Sequence, residues 1–363
     1  MDTSLSSVSY SFFKSDQLSF PSNQTELPLI IEPKTHNDLF FVNEFISKNK
    51  EFIMEKIHVH GAVLFRGFSI DSAIDFQECL TNLGLNLSSE YPVGLSPREK
   101  ITEHVFSSTE MINLFPIPPH TEMAYLTYRP KYIAFFCYVE PTQYGETPIF
   151  NFKAAYESLS KQTQQDLRTK KIKYRRHIYA SKKKYQTSIW KTYAEVFGTT
   201  EKTTIENICR TFAIDFKWVD TDKIQIETVL PGVVEHPQTR ELSLSYQCIN
   251  FSDIKRTIEF IKQRQSLLQR FKSQIVVKFL SRLHYFPIDI CWGDDTPISE
   301  QSLLEIYEAI WKCKVIFPWK KGDVLILDNI LSGHGRLNVI PPRRILAALG
   351  NMYQINSEGE RNF

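Results

Sequence analysis

The chain has 363 residues, 42% of them hydrophobic and 23% charged, which is the balance of a folded globular protein and excludes a disordered or fibrous one. Its net charge of +2 is too small for a general nucleic-acid binder, and its longest apolar runs, such as residues 132–139, are too short to span a bilayer. Six cysteines, none at C-x-x-C spacing, exclude a zinc knuckle or disulfide framework and fit the reduced, buried thiols of a cytosolic protein.

Residues 1–35, punctuated by Ser, Asn and Pro, read as an irregular arm, and their start lacks the basic and apolar segments of a secretory signal. From Asn37 to Lys56, the apolar positions Leu39, Phe40, Val42, Phe45, Ile46, Phe52 and Ile53 predict one amphipathic helix. His58 and His60 alternate as on a strand, with no acidic partner nearby, and read as surface or packed side chains. Residues 61–68 (GAVLFRGF) predict a buried strand between glycines, and Asp71 to Leu83 a helix capped by Asp71 or Ser72. Tyr132 to Val139 is a near-continuous apolar strand, and the 26 Phe and 16 Tyr of the chain favour such β structure. A turn at residues 145–148 leads to another strand, Ala154 to Leu167 predicts a helix, and Lys170 to Tyr179 a basic strand. Phe251 to Phe271 predicts a helix with Ser252 as N-cap, and Leu303 to Trp311 a shorter one. Residues 324–327 and 345–349 close the chain as two buried strands. The pattern is mainly β with helical decorations. It predicts a single domain over residues 36–363, helical insertions at about 155–310, and a β-sandwich core rather than a βαβ array.

His120 and Glu122 lie two apart behind the stiff pair Pro118 and Pro119, and alternate residues of an extended segment share a face. His334 lies far downstream, between Gly333 and Gly335, which give the turn freedom to aim the imidazole. Two imidazoles and one carboxylate are the ligand set of a mononuclear non-haem iron site with positions left open. A His-x-Glu pair alone occurs by chance in many proteins; Arg344, at the head of a buried apolar strand, gives this one weight. A guanidinium there needs an anion, either the carboxylate of a cosubstrate or an acidic residue of the protein.

These residues, with their neighbours, resemble the taurine-dioxygenase (TauD/TfdA) family of Fe(II)/2-oxoglutarate oxygenases, and within it the SyrP-like hydroxylases of natural-product pathways. The likeness runs through GAVLFRGF at 61–68, HTEMAY at 120–125, GETPI at 145–149, FPWKKGDV at 317–324, Asp328-Asn329, HGR at 334–336 and PRRIL at 342–346. It implies a double-stranded β-helix (jelly roll) with His120, Glu122 and His334 as the iron ligands. Arg344, assisted by Thr147, would bind the distal carboxylate of 2-oxoglutarate. The implied activity consumes O2 and 2-oxoglutarate, releases succinate and carbon dioxide, and hydroxylates a C–H bond. Glu122 stands where many members carry Asp. A carboxylate there argues against halogenation, for which related enzymes have Ala or Gly at this place. Taurine dioxygenase carries a second arginine four residues after the first, where this chain has Ala348, so a sulfonate substrate is disfavoured.

The implied substrate is an amino acid or related small acid, free or tethered to an acidic carrier protein, with Trp190, Tyr193, Gln247 and Arg336 as candidate contacts. The basic run from Arg168 to Lys184 has two readings, a solvated edge or loop and a docking patch for such a carrier. Asp294 and Asp295 read as a turn, with recognition of a substrate amine as the alternative. Competing readings are a non-catalytic cupin-like binding protein, a zinc hydrolase on the same three ligands, and an oxygenase whose outcome is desaturation or cyclisation. The sequence leaves the oligomeric state open.

Overall fold

Every second residue of the central strands turns its side chain to the same side. In this chain both sides are apolar, so the strands form a sheet buried on both faces. A computed structural model describes residues 5–94, 98–108, 116–185, 190–247, 251–282, 288–355 and 361–362. Its largest sheet runs in the order Val8–Ser11, Leu29–Pro33, Ala62–Phe65, Val324–Asp328, Tyr128–Val139, Arg344–Ile355, Arg361–Asn362, with Phe106–Ser107 paired to the Arg344–Ile355 strand. Val63, Phe65, Ala134, Phe136, Ile326, Leu346 and Ala348 face a layer of helices at Leu39–Lys48, Lys50–His60 and Ala73–Asn82. The alternate residues Leu64, Phe135, Leu325, Leu327, Ile345, Ala347 and Leu349 face the other way, into the main core.

Across that core lies a second sheet, ordered Lys314–Val315, Ile149–Asn151, Ser332–Arg336, Ile117–His120. Its pairing sets His334 directly opposite His120. A third sheet, Asp215–Asp220, Lys223–Leu230, Ile172–Tyr179 and Asp289–Trp292, is inserted between the halves of the sandwich.

Several sequence expectations change. The first 35 residues are not an irregular arm: Val8–Ser11 and Leu29–Pro33 are sheet strands, and the apolar Leu29, Ile30 and Ile31 are buried beside Ala62–Phe65. The helix expected over Asn37 to Lys56 is two, broken at Asn49, whose backbone leaves helical geometry; the second ends at Gly61 in the left-handed conformation. His58 and His60 are therefore helical. The Ala154 to Leu167 helix is likewise two, Phe152–Glu157 and Lys161–Thr169, the second capped by Ser160. The Phe251 to Phe271 helix is split into Phe251–Ile261 and Leu267–Leu280, with Ser252 inside the first rather than capping it and Phe271 exposed. The insertion carries a four-stranded sheet as well as helices, and the basic strand Ile172–Tyr179 is interior to it, not an edge. Two of its cations have fixed anions, and Arg176 donates from Nη1 to the Val93 carbonyl at 2.8 Å. Lys173 meets Asp295 at 2.6 Å, and Arg175 meets Glu227 at 2.5 Å and Asp295 at 2.7 Å. Asp295 is thus spent on the protein rather than left for a substrate amine.

The GAVLFRGF motif has a structural purpose. Arg66 donates from Nε and Nη2 to Asp323 at 3.0 and 2.6 Å, and from Nη2 to the Pro318 carbonyl at 3.0 Å, and lies 5.2 and 5.6 Å from the rings of Phe13 and Phe317, which stack on each other. Both partners are buried. Removing one member of such a pair strands a charge in the interior, so Arg66→Met is expected to cost about 3–5 kcal/mol in denaturant unfolding. A loss of less than about 1 kcal/mol, the ordinary worth of an exposed pair, would contradict this role.

Candidate iron and 2-oxoglutarate site

His120 ends its strand, and Glu122 sits in the turn just beyond it rather than on the strand itself. That turn is held from below by Asn329. The Asn329 side-chain oxygen accepts from the Glu122 amide at 2.7 Å, and its amide group donates to the carbonyls of Glu122 at 3.0 Å and Pro130 at 2.9 Å. Asn329 follows Asp328, whose carboxylate accepts from the amides of Ile330 and Leu331 at 2.8 and 3.1 Å and faces His236 Nε2 at 2.8 Å. His58, His236 and Asp328 form a second group with metal-ligand chemistry, but hydrogen bonds account for it. His236 Nδ1 accepts from the Thr239 amide, and His58 Nε2 meets the Tyr132 hydroxyl at 2.7 Å. The group buttresses the turn that carries Asn329. Asn329→Ala is accordingly expected to weaken iron(II) binding about 10- to 100-fold, as loss of an orienting neighbour does. Metal titration measures this, and unchanged affinity would remove Asn329 from the site's support.

The glycines beside His334 do a different job from the one expected. Both lie within a strand, not a turn. A Cβ on Gly333 would fall 2.2 Å from the Phe152 ring, and one on Gly335 would fall 2.7 Å from the Ile117 carbonyl. They permit close packing of the two layers rather than freedom of the imidazole.

The three side chains converge. Glu122 Oε2 lies 3.3 Å from His334 Nε2 and 3.9 Å from His120 Nε2, and all three donor atoms lie within 4.8 Å of one another. His120 Nδ1 is 2.9 Å from the Pro118 carbonyl, which places the ring proton there and leaves Nε2 bare. Burial and the neighbouring His334 hold His120 down to about 4, so the imidazole is neutral. Burial opposes ionisation of Glu122, but Arg98, His334 and His120 outweigh it and keep the carboxyl well below the usual carboxylate range. The Tyr91 hydroxyl donates to Glu122 Oε1, while Oε2, buried, has no hydrogen-bond partner among the described residues. A bare, ionised oxygen facing two bare imidazole nitrogens is the donor set that suits iron(II), so the residues fit the metal. The Phe135 ring stands edge-on to His334 at 5.0 Å and walls the site from the main sheet.

A cavity opens beside the three ligands, lined in part by Arg98, Phe135, Thr147, Arg336, Arg343 and Ile345. Here the sequence reading is off by one residue. Arg344 is exposed and pairs with Glu99 at 3.3 Å, the internal salt bridge that was its alternative role. Arg343 points inward instead, donating from Nε to the Gly145 carbonyl at 2.7 Å and from Nη2 to Thr147 Oγ1 at 3.2 Å. Burial, with Arg336 alongside, pushes Arg343 down to about 9, and burial alone brings Arg336 to about 10. Two guanidiniums that strain to stay charged mark a place that an anion would stabilise. Thr147, buried, also accepts from Trp319 Nε1 at 3.1 Å. Counting from Arg343, the position four residues on is Ala347, which faces the main core, while Ala348 faces the helices. The absence of a second arginine there therefore holds on the corrected numbering.

Of the substrate candidates, Gln247 bridges the His120 backbone and keeps Oε1 buried without a partner among the described residues. Trp190 and Tyr193 belong to the hydrophobic core, and Tyr193 packs edge-on against Trp218 at 5.9 Å; neither is in the cavity wall. Sequence reasoning missed Tyr91, Arg98 and Arg343.

The family model for the taurine catabolism dioxygenase TauD, TfdA family matches residues 25–349. The chain belongs to this family. It is an iron(II)- and 2-oxoglutarate-dependent oxygenase with the family's jelly-roll fold. Over 310 residues, 85% of this chain and 87% of the other, it is 27% identical to the dapdiamide synthesis protein DdaC of Enterobacter agglomerans. It is 25% identical over 337 residues to a clavaminate synthase-like protein of Arabidopsis thaliana, covering 92% of each chain. Among solved structures it shares the fold of PvcB from Pseudomonas aeruginosa, with a TM-score of 0.52 at 14% identity, covering 94% of this chain and 91% of that one. A taurine dioxygenase from Burkholderia xenovorans gives 0.51 at 13% identity, covering 98% and 93%. Among the described residues, no helix is long and apolar enough to cross a membrane.

Proposed function

We propose that the protein hydroxylates an unactivated C–H bond of an amino acid or related small acid, free or carrier-tethered, in a biosynthetic pathway. The observation that carries this reading is the convergence of His120 Nε2, His334 Nε2 and Glu122 Oε2 beside a cavity that ends at Arg343 and Thr147. With iron(II), 2-oxoglutarate and O2 in place, the centre supplies oxidation of a C–H bond coupled to decarboxylation of the cosubstrate to succinate. The protein's own part is positional. His120, Glu122 and His334 hold the metal on one side. Arg343 and Thr147 fix the far carboxylate of the cosubstrate, with Arg336 adding positive field. Phe135 and Ile345 keep that end apolar and exclude water. Glu122 fills the place that a halide needs in halogenating relatives, which favours hydroxylation. Gln247, bridged to the His120 backbone, and Arg336, in the cavity wall, are the candidate substrate contacts.

Two similar proteins support the biosynthetic setting. DdaC is a dapdiamide synthesis protein, and PvcB is described as an oxygenase from an isonitrile synthetic pathway. A cytosolic location fits the unpaired, buried thiols of Cys79, Cys137, Cys209, Cys291 and Cys313; Cys248 lies outside the described residues.

The test is product analysis. Purified protein with iron(II), 2-oxoglutarate and O2 is offered a panel of amino acids and small acids. Succinate release above the substrate-free level, with a product heavier by one oxygen atom, is the expected result. A product lighter by two hydrogens would replace hydroxylation with desaturation or cyclisation.

A further inference from the structure

Arg98 is a buried guanidinium whose pairing with Glu122 leaves part of its donor set unused. Its side chain is 8% exposed, it lies over the Tyr91 ring at 4.1 Å, and its Nη2 is 3.5 Å from Glu122 Oε2. Nε and Nη1 are buried with no hydrogen-bond partner among the described residues, although the group lines the same cavity as His120 and His334. Leaving such donors unpaired is costly, so a built site of this kind anticipates an acceptor.

The acceptor is not the far carboxylate of 2-oxoglutarate, because Arg343 and Arg98 keep different company. Arg343 sits on Gly145 and Thr147 beside Arg336, whereas Arg98 sits on Tyr91 and Glu122. On the Arg98 side a further cation faces it. Burial, then Arg176 and Arg98, lower Lys191 to about 8. Once iron(II) is bound, three guanidiniums and a divalent ion confront one carboxylate across the cavity. A dianionic cosubstrate offsets only part of that charge.

We infer that the primary substrate bears a free carboxylate and that Arg98 is its anchor, which specifies a free acid rather than an acid esterified to a carrier as a thioester. The inference rests on the function proposed above and narrows its substrate class. A guanidinium seated over an aromatic ring keeps its edge donors for a planar carboxylate, the partner of charge-assisted pairing. A thioester carbonyl accepts a single neutral hydrogen bond and brings no charge to match the guanidinium. Part of the basic run read as a carrier-docking patch is already neutralised, because Lys170, Lys173, Arg175 and Lys182 meet Asp166, Asp295, Glu227 and Glu195 of the protein at 3.0, 2.6, 2.5 and 2.8 Å.

The experiment uses the anaerobic protein loaded with iron(II) and 2-oxoglutarate. The protein amino acids are added, each as free acid, as primary amide and as N-acetylcysteamine thioester. The readout is the shift of the visible charge-transfer band, which reports occupancy beside the metal without turnover. The expected result is that at least one acid binds about 10- to 100-fold more tightly than its amide and thioester, the worth of a hydrogen bond to a charged group. Arg98→Gln is expected to erase that preference, and Arg98→Lys, which keeps a charge beside Glu122, to retain part of it. Equal binding of amides or thioesters, no response to any acid, or a preference that survives in Arg98→Gln overturns the inference. Should Arg98→Gln lose the band, the wild-type comparison of acid with amide and thioester decides alone. Failure of the band to form in the wild-type protein would count against the iron and 2-oxoglutarate site itself, which separates the two failures.

Discussion

Replacing His334 with alanine is expected to reduce succinate formation at least about a thousandfold, equivalent to about 4 kcal/mol of lost transition-state stabilisation. The same loss is expected for His120→Ala and Glu122→Ala. Each removes one of three donor atoms that lie within 4.8 Å of one another and leaves the other two facing an incomplete site. The three effects should not add, because the ligands act as a unit and the first loss removes most of what there is to lose. Succinate measured with saturating iron(II) and 2-oxoglutarate is the readout. A variant that keeps more than about a tenth of wild-type turnover, a deficit of only about 1.4 kcal/mol, would exclude that residue as a ligand.

The second large effect separates two adjacent arginines. Arg343→Gln is expected to raise the KM for 2-oxoglutarate about 30- to 100-fold, which is the value of a charge-assisted contact in a buried setting. Arg344→Gln is expected to change it less than about twofold, because that side chain is exposed, paired to an exposed Glu99 and screened by water. Steady-state kinetics at varied 2-oxoglutarate check both. A reversed pattern, with Arg344 the sensitive position, would restore the assignment made from sequence and contradict the inward placement of Arg343.

That one-residue shift shows where sequence reading reaches its limit. A strand covered on one face alternates apolar and polar residues, and the alternation names the inward side. Residues 345–349 are apolar throughout because the sheet is buried on both faces, so the pattern carries no parity. The sequence reading took Arg344 as the head of that strand, and only the three-dimensional register places its neighbour Arg343 with Ile345 and Ala347 on the cavity side. The three candidate ligands were legible for the opposite reason. His120, Glu122 and His334 are polar residues whose type states their chemistry, in stretches with a matching family order.

Other elements were hidden for specific causes. Tyr91 and Arg98 reach Glu122 from a segment with no regular periodicity, and a Tyr and an Arg in such a segment look like ordinary surface residues. Leu29–Pro33 was masked by the Ser and Pro residues around it, although Leu29, Ile30 and Ile31 form a short buried strand. The basic strand Ile172–Tyr179 looked solvated because its anions, Glu227 and Asp295, are distant in sequence. Asp328 and Asn329 stood out as a motif before their purpose was visible. Asn329 fixes the Glu122 turn through three hydrogen bonds, and Asp328 is tied to His236.

The most direct measurement is spectroscopic. Iron(II) and then 2-oxoglutarate are added to the protein without oxygen, and the visible absorption is recorded for the wild type, Glu122→Ala and Arg343→Gln. The expected result is a charge-transfer band of a chelated keto acid in the wild type, no band in Glu122→Ala, and a band in Arg343→Gln that needs far more 2-oxoglutarate. A wild-type protein that shows no band, or a Glu122→Ala variant that shows a full one, would contradict a site built from His120, Glu122 and His334.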